Sequence, residues 1–174
     1  MTKNHFAIAL TALPLSLSAP LHAKPPKEAP QPSLLVTTPL TPEDRQHLLN
    51  DTFTVVKTVN ELPASVHDLL FQHVTSSLDG MADPGEEWQE GDVVGPKLLP
   101  FRRLVLAANS AQYSLVYSEQ GGFAYQQRIF LYRLAGGHAR LILQAWIAPS
   151  ARLLDFNQLR SFIRDGKYRT LEQP

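Results

Sequence analysis

Over residues 101–147 the apolar residues of this chain recur at every second position, whereas upstream they recur at every third and fourth. Period 2 belongs to a strand whose alternate side chains face opposite sides of a sheet, and period 3.6 belongs to a helix. Three turn signals, Asn109-Ser110, Gly121-Gly122 and Gly136-Gly137, cut the stretch into segments and predict a four-stranded antiparallel meander. A two-residue loop at Gly136-Gly137 sets Arg133 opposite Arg140, Tyr132 opposite Leu141 and Phe130 opposite Leu143. The same treatment of the other two turns places Tyr113, Leu115, Tyr117, Leu104 and Leu106 on the face that carries Phe130, Tyr132 and Leu134. That face is expected to be the core. The opposite face would hold Tyr125, Gln127, Ile129, Leu131, Arg133, Arg140, Ile142, Gln144 and Trp146, too apolar for a solvated surface and too polar for a dry interior. Either a loop or the N-terminal helix covers it, or it is a binding surface with Trp146 and Tyr125 as anchors beside arginines. Arg133 facing Arg140 is a like-charge pair, unfavourable by about 0.2–1 kcal/mol unless a carboxylate or another anion lies between them.

Helices flank the meander. Thr41-Pro42-Glu43-Asp44 has the signs of a helix start, with Thr41 as N-cap, proline at the first helical position and two acids against the dipole, and predicts a helix to about Asn50. A second helix is predicted over 63–78, where Val66, Leu69, Leu70, His73 and Val74 share a stripe and Asp79-Gly80 ends it. A third opens at Asp155, with Gln158 at the capping-box spacing, buries Phe156, Leu159, Phe162 and Ile163, and closes at Gly166. The expected fold is α+β: N-terminal helices, a four-stranded antiparallel meander and a C-terminal helix packed on one sheet face, with at least two helices on the Phe130 face.

Residues 1–23 have the pattern of a secretory signal. Lys3 and His5 precede an apolar run from Phe6 to Leu17, and Ala23 supplies the small residue before the cut. The run is shorter than the roughly 20 residues a bilayer-spanning helix needs, and Pro14 and Pro20 interrupt it further. Residues 24–40 would then form an extended leader, with four prolines in its first nine residues, ahead of one globular domain over 41–170. The 174-residue chain has no cysteine, which suits an oxidising compartment and excludes a disulfide framework, a thiol nucleophile and a lipid-modified N-terminal cysteine. The expected location is the periplasm or the exterior, with no transmembrane segment after cleavage.

Sixteen basic and sixteen acidic residues cancel, which removes any global case for a nucleic-acid partner. The cancellation hides a division at Gly95: the mature chain before it has net charge −8 and after it +7. The acidic half culminates in a loop from Met81 to Asp92 that carries Asp83, Glu86, Glu87, Glu90 and Asp92 around Trp88. Its spacing does not match the EF-hand pattern from either Asp79 or Asp83. Glu86 or Glu87 with Asp92 could form the carboxylate pair of a glycoside hydrolase. Alternatively, Trp88 with its flanking acids could insert into a basic partner, or the loop could fold back on the sheet arginines.

Other chemistry leaves no trace. There is no Gly-x-Ser-x-Gly, Walker, Gly-x-Gly-x-x-Gly or His-Glu-x-x-His motif, and no cofactor signature. His67 and His73 are six residues apart and cannot share a metal on a helix, His47 and His138 have no visible partner, and Ser114 and Ser118 have no adjacent base. The sequence therefore points to an exported protein of non-enzymatic binding type, an inhibitor or immunity-like partner of a cell-envelope enzyme or toxin. The binding residues expected are Glu86, Glu87, Trp88, Asp92, Tyr125, Arg133, Arg140 and Trp146. The alternatives are a cell-envelope hydrolase using the loop carboxylates, and a small-ligand or scaffold module with a cavity lined by Tyr113, Tyr117 and Tyr132.

Overall fold

Both expected N-caps, Thr41 and Asp155, form. In the computed structural model, which describes residues 40–72, 79–148, 153 and 155–170, the Asp44 N–H donates to Thr41 Oγ1 at 3.1 Å, and the Thr41 N–H donates back to Asp44 Oδ2 at 3.3 Å. This capping box opens α1, Pro42–Asn50. The third helix, α3, Phe156–Arg164, begins where Asp155 accepts from the Gln158 N–H at 2.9 Å. It ends at Gly166, whose φ of +64° is the left-handed conformation that lets the last carbonyls be capped. Between them α2, Ala64–Phe71, buries Val66 and Leu70. Its expected continuation through His73 and Val74 lies outside the described residues, as do the signal and all of the leader except Leu40.

The four expected strands are β3, Arg102–Asn109, β4, Tyr113–Gln120, β5, Gln126–Ala135, and β6, His138–Ile147, each antiparallel to the next. The sheet is larger than the expected meander. Short β1, Thr54–Val56, pairs antiparallel with the end of β3, and β2, Met81–Ala82, pairs parallel with its start. At the other edge β7, Arg169–Thr170, adds to β6. The order is β1-β3-β4-β5-β6-β7, with β2 joined to β3.

Gly136 and Gly137 make the tight turn, so Arg133 faces Arg140 and Tyr132 faces Leu141 as expected. The register then slips, because Leu131 faces Leu143 and leaves Ile142 as an extra residue; Phe130 consequently faces Gln144, not Leu143. The β4–β5 connection takes five residues, 121–125, instead of two. That odd displacement exchanges the faces of one strand relative to the other. Tyr113, Leu115 and Tyr117 therefore share a face with Arg133, Leu131 and Ile129, while Ser114 and Val116 share one with Tyr132 and Phe130. A second slip between Leu104 and Leu106 sends those two leucines to opposite faces.

The consequence is a sheet covered on both sides. Leu48 of α1 and Leu159 and Ile163 of α3 pack on Tyr113, Leu115, Tyr117, Ile129, Leu131 and Leu143. Val66 and Leu70 of α2, with Val59 and Leu62, pack on Leu104, Ala107, Val116 and Tyr132. Among the described helices only α2 lies on the Phe130 face, where at least two were expected; the opposite face, expected either to be covered by a loop or the N-terminal helix or to be a binding surface, is covered by α1 and also by α3. Tyr113 and Tyr117 lie on one side and Tyr132 on the other, so they line no common cavity. Among the described residues no helix is long and apolar enough to cross a membrane.

Candidate binding surface at the β4–β5 end of the sheet

The acidic segment folds back on the sheet. Backbone hydrogen bonds from Gln89 N to Pro100 O at 2.9 Å and from Gly122 N to Glu90 O at 3.0 Å hold it beside the β4–β5 loop. The approach is close enough that a Cβ on Gly121 would run into the carbonyls of Gln89 and Glu90, so only glycine fits there. Trp88 is half-buried, with the Arg103 guanidinium 4.8 Å from its ring centroid and the Tyr125 ring 6.4 Å away. Arg103 pairs across the strands with Glu119, whose other oxygen accepts from the Tyr125 hydroxyl at 2.6 Å. The Gln127 amide donates to the same hydroxyl at 3.0 Å. Burial, and then the hydrogen bond to Glu119, push the Tyr125 phenol above its ordinary pKa and keep it a donor.

The remaining acids of the segment have separate places. Glu87 pairs with Lys97 at the surface, Glu86 accepts from the Asp83 N–H at 3.0 Å, and Asp83 accepts from the Val59 N–H at 2.5 Å. Glu86, Glu87 and Lys97 line an open depression with Met81 and Pro100; Asp92 is exposed and is not among its walls. Among the described residues no group of three or more His, Asp or Glu side chains could hold a metal ion. Ser114 is buried with its hydroxyl unpartnered among the described residues, and His47 Nδ1 lies 3.1 Å from Asp51 Oδ1 with its ring tilted against Tyr113 at 5.4 Å.

Arg133 has the carboxylate its pairing with Arg140 calls for, but it comes from α1. Asp44 Oδ1 accepts from Arg133 and, at 2.9 Å, from the Tyr113 hydroxyl, while Oδ2 accepts from Thr41 Oγ1 at 2.6 Å. Burial works to raise the Asp44 carboxyl; the hydrogen bonds from Thr41, Arg133 and Tyr113 outweigh it and hold the pKa below the ordinary value. Tyr113, buried and donating to this carboxylate, is pushed up to about 12. Arg140 is exposed, and Trp146 stands on the opposite face of the sheet, 37% exposed and opposite Arg128 in register. The expected sheet-face group is thus divided: Tyr125 joins Trp88, Arg133 joins Asp44, and Trp146 is separate from both.

Residues that sequence reasoning left aside complete the region. Phe123, at the tip of the 121–125 loop, is 98% exposed. Beneath it a cleft of about 590 Å³ is lined by Leu70, Phe101, Arg102, Gly122, Phe123 and Arg128, among others. The only trace of Phe123 in the sequence is an aromatic residue just after a double-glycine turn. No protein-family model, curated protein or solved structure matches the chain.

Proposed function

We propose that this protein is exported to the bacterial periplasm and acts there by binding, as an inhibitor or immunity-type partner of a cell-envelope enzyme or toxin. The observation that carries the reading is Phe123, 98% exposed on a loop whose neighbours are tied down. Gly121 N donates to Phe101 O at 2.8 Å, Gly122 N to Glu90 O, and the Tyr125 hydroxyl to Glu119. An aromatic side chain held out on a pre-ordered loop can enter an apolar pocket with little further loss of chain entropy, which is the character of an interface anchor. The acidic segment that braces the loop exposes the carboxylates of Glu86, Glu87, Glu90 and Asp92, and the stretch after it exposes Val93, Val94 and Leu98. Those charges would steer a basic partner toward the loop. Trp88, packed against Arg103, supports the surface from below.

The test uses protein recovered from the cell envelope, whose first residue should be Lys24. Captured partners are compared between the wild type and Phe123→Ala. The proposal predicts that one protein is retained by the wild type and lost with the variant, while the melting temperature is unchanged. Capture of the same proteins by both would remove Phe123 as the anchor.

A further inference from the structure

The cleft under the β4–β5 loop brings together two arginines from neighbouring regions of the sheet with too little negative charge to match them. Arg102, from β3, is half-buried and donates to the backbone carbonyls of Leu70, Asp79 and Gly80, which fixes its guanidinium against α2 and over the Phe71 ring at 5.3 Å. Arg128, from β5, is also half-buried, and among the described residues its side-chain hydrogen bonds go to the Gln126 carboxamide oxygen, from Nε at 3.0 Å and from Nη2 at 2.5 Å. Both side chains line the same cleft. Asp79 is the one acid among the described residues that line it, and its charge acts on Arg102.

Burial, and then the neighbouring charge of Arg102, lower the pKa of Arg128, so an ionised Arg128 is held at an electrostatic disadvantage. An oxyanion in the cleft would relieve both effects. A guanidinium fork is suited to this role because its planar donors match carboxylate and phosphate oxygens. Among the described residues Arg128 Nη1 has no acceptor, which leaves its donors for such a ligand. Leu70 and Phe101 give the cleft an apolar flank beside the two guanidinium groups.

We propose that the Arg102–Arg128 cleft is a binding site for an oxyanion, carboxylate or phosphate, with Arg128 as the principal ligand and Arg102 as a fixed second charge. The site does not depend on a protein docking over Phe123, so this proposal and the proposed function fail separately.

The experiment follows the arginine Nε–Hε signals of the full chain by NMR. Inorganic phosphate is titrated in one arm and acetate in the other, with ionic strength held constant by sodium chloride. A saturable shift of the Arg128 signal and the Gly122 amide is expected, with a dissociation constant of millimolar order. The arm that saturates identifies which oxyanion the cleft accepts. Arg128→Gln should weaken binding about tenfold or more, and Arg128→Lys should weaken it less because it keeps the charge. A shift that rises linearly in both arms, or saturation centred on residues away from Arg128 and Gly122, would overturn the proposal without recourse to any variant. Unchanged affinity in a folded Arg128→Gln would also overturn it.

Discussion

Asp44 shows how one side chain can join an element to the sheet. Its carboxylate closes the capping box of α1 and at the same time accepts from Tyr113 of β4 and Arg133 of β5. Asparagine at this position keeps the shape but replaces one acceptor oxygen by a donor and removes the countercharge of Arg133. Asp44→Asn should therefore lose about 1–3 kcal/mol at neutral pH. The pH dependence has a definite sign. A carboxyl held below its unfolded value of 3.8 stabilises the fold above that pH, and the contribution disappears as pH falls through the lower, folded-state pKa. The gap in melting temperature between wild type and Asp44→Asn should accordingly be constant near neutrality and shrink once the pH drops below 3.8. A gap that is the same in acid would mean that the ionised carboxylate is not what holds α1 to the sheet.

At the scale of elements, the acidic segment and the 121–125 loop form one braced unit. Trp88 lies between Arg103 and Tyr125, and Gly121 admits the backbone at Gln89 and Glu90. Trp88→Ala should destabilise the domain by about 1–3 kcal/mol, since it deletes a half-buried ring and its cation contact. Hydrogen exchange at the Gly121 and Gly122 amides should accelerate in that variant. Unchanged stability with unchanged exchange would show that Trp88 braces nothing and return it to the role of a free anchor. The helix starts at Thr41 and Asp155 and the turn at Gly136-Gly137 were legible because each rests on local chemistry. What was not legible is equally specific. A five-residue loop and two register slips change which face each residue occupies, and their effect is visible only from the paired strand. Ser114 and Ser118 are both buried, which their hydroxyls alone do not foretell. Strands as short as β1, β2 and β7 carry too few residues to show a period. For the candidate site, the need of Arg133 for a carboxylate could be read from the turn, but the donor of that carboxylate lies 89 residues away along the chain. An aromatic residue among acids marked Trp88; that Arg103 occupies its ring follows only from the fold.

On the scale of the molecule, the opposed charges of the two halves meet partly within the domain. Asp44 of the acidic half pairs with Arg133 of the basic half, and Glu87 pairs with Lys97 across Gly95. Glu90 and Asp92 stay exposed on one side of the β4–β5 loop, while Arg102 and Arg128 line the cleft beneath it. Phe123 lines that cleft from a loop hydrogen-bonded to the Glu90 carbonyl, which is why the account centres on it. The most direct measurement replaces Phe123 by a photoreactive benzoyl-phenylalanine in the full chain and irradiates intact cells, with the same replacement at Val55, exposed on edge strand β1, as control. The account predicts one discrete protein adduct from position 123, a cell-envelope enzyme or toxin, and none from position 55. No adduct from position 123, or the same adducts from both positions, would contradict it.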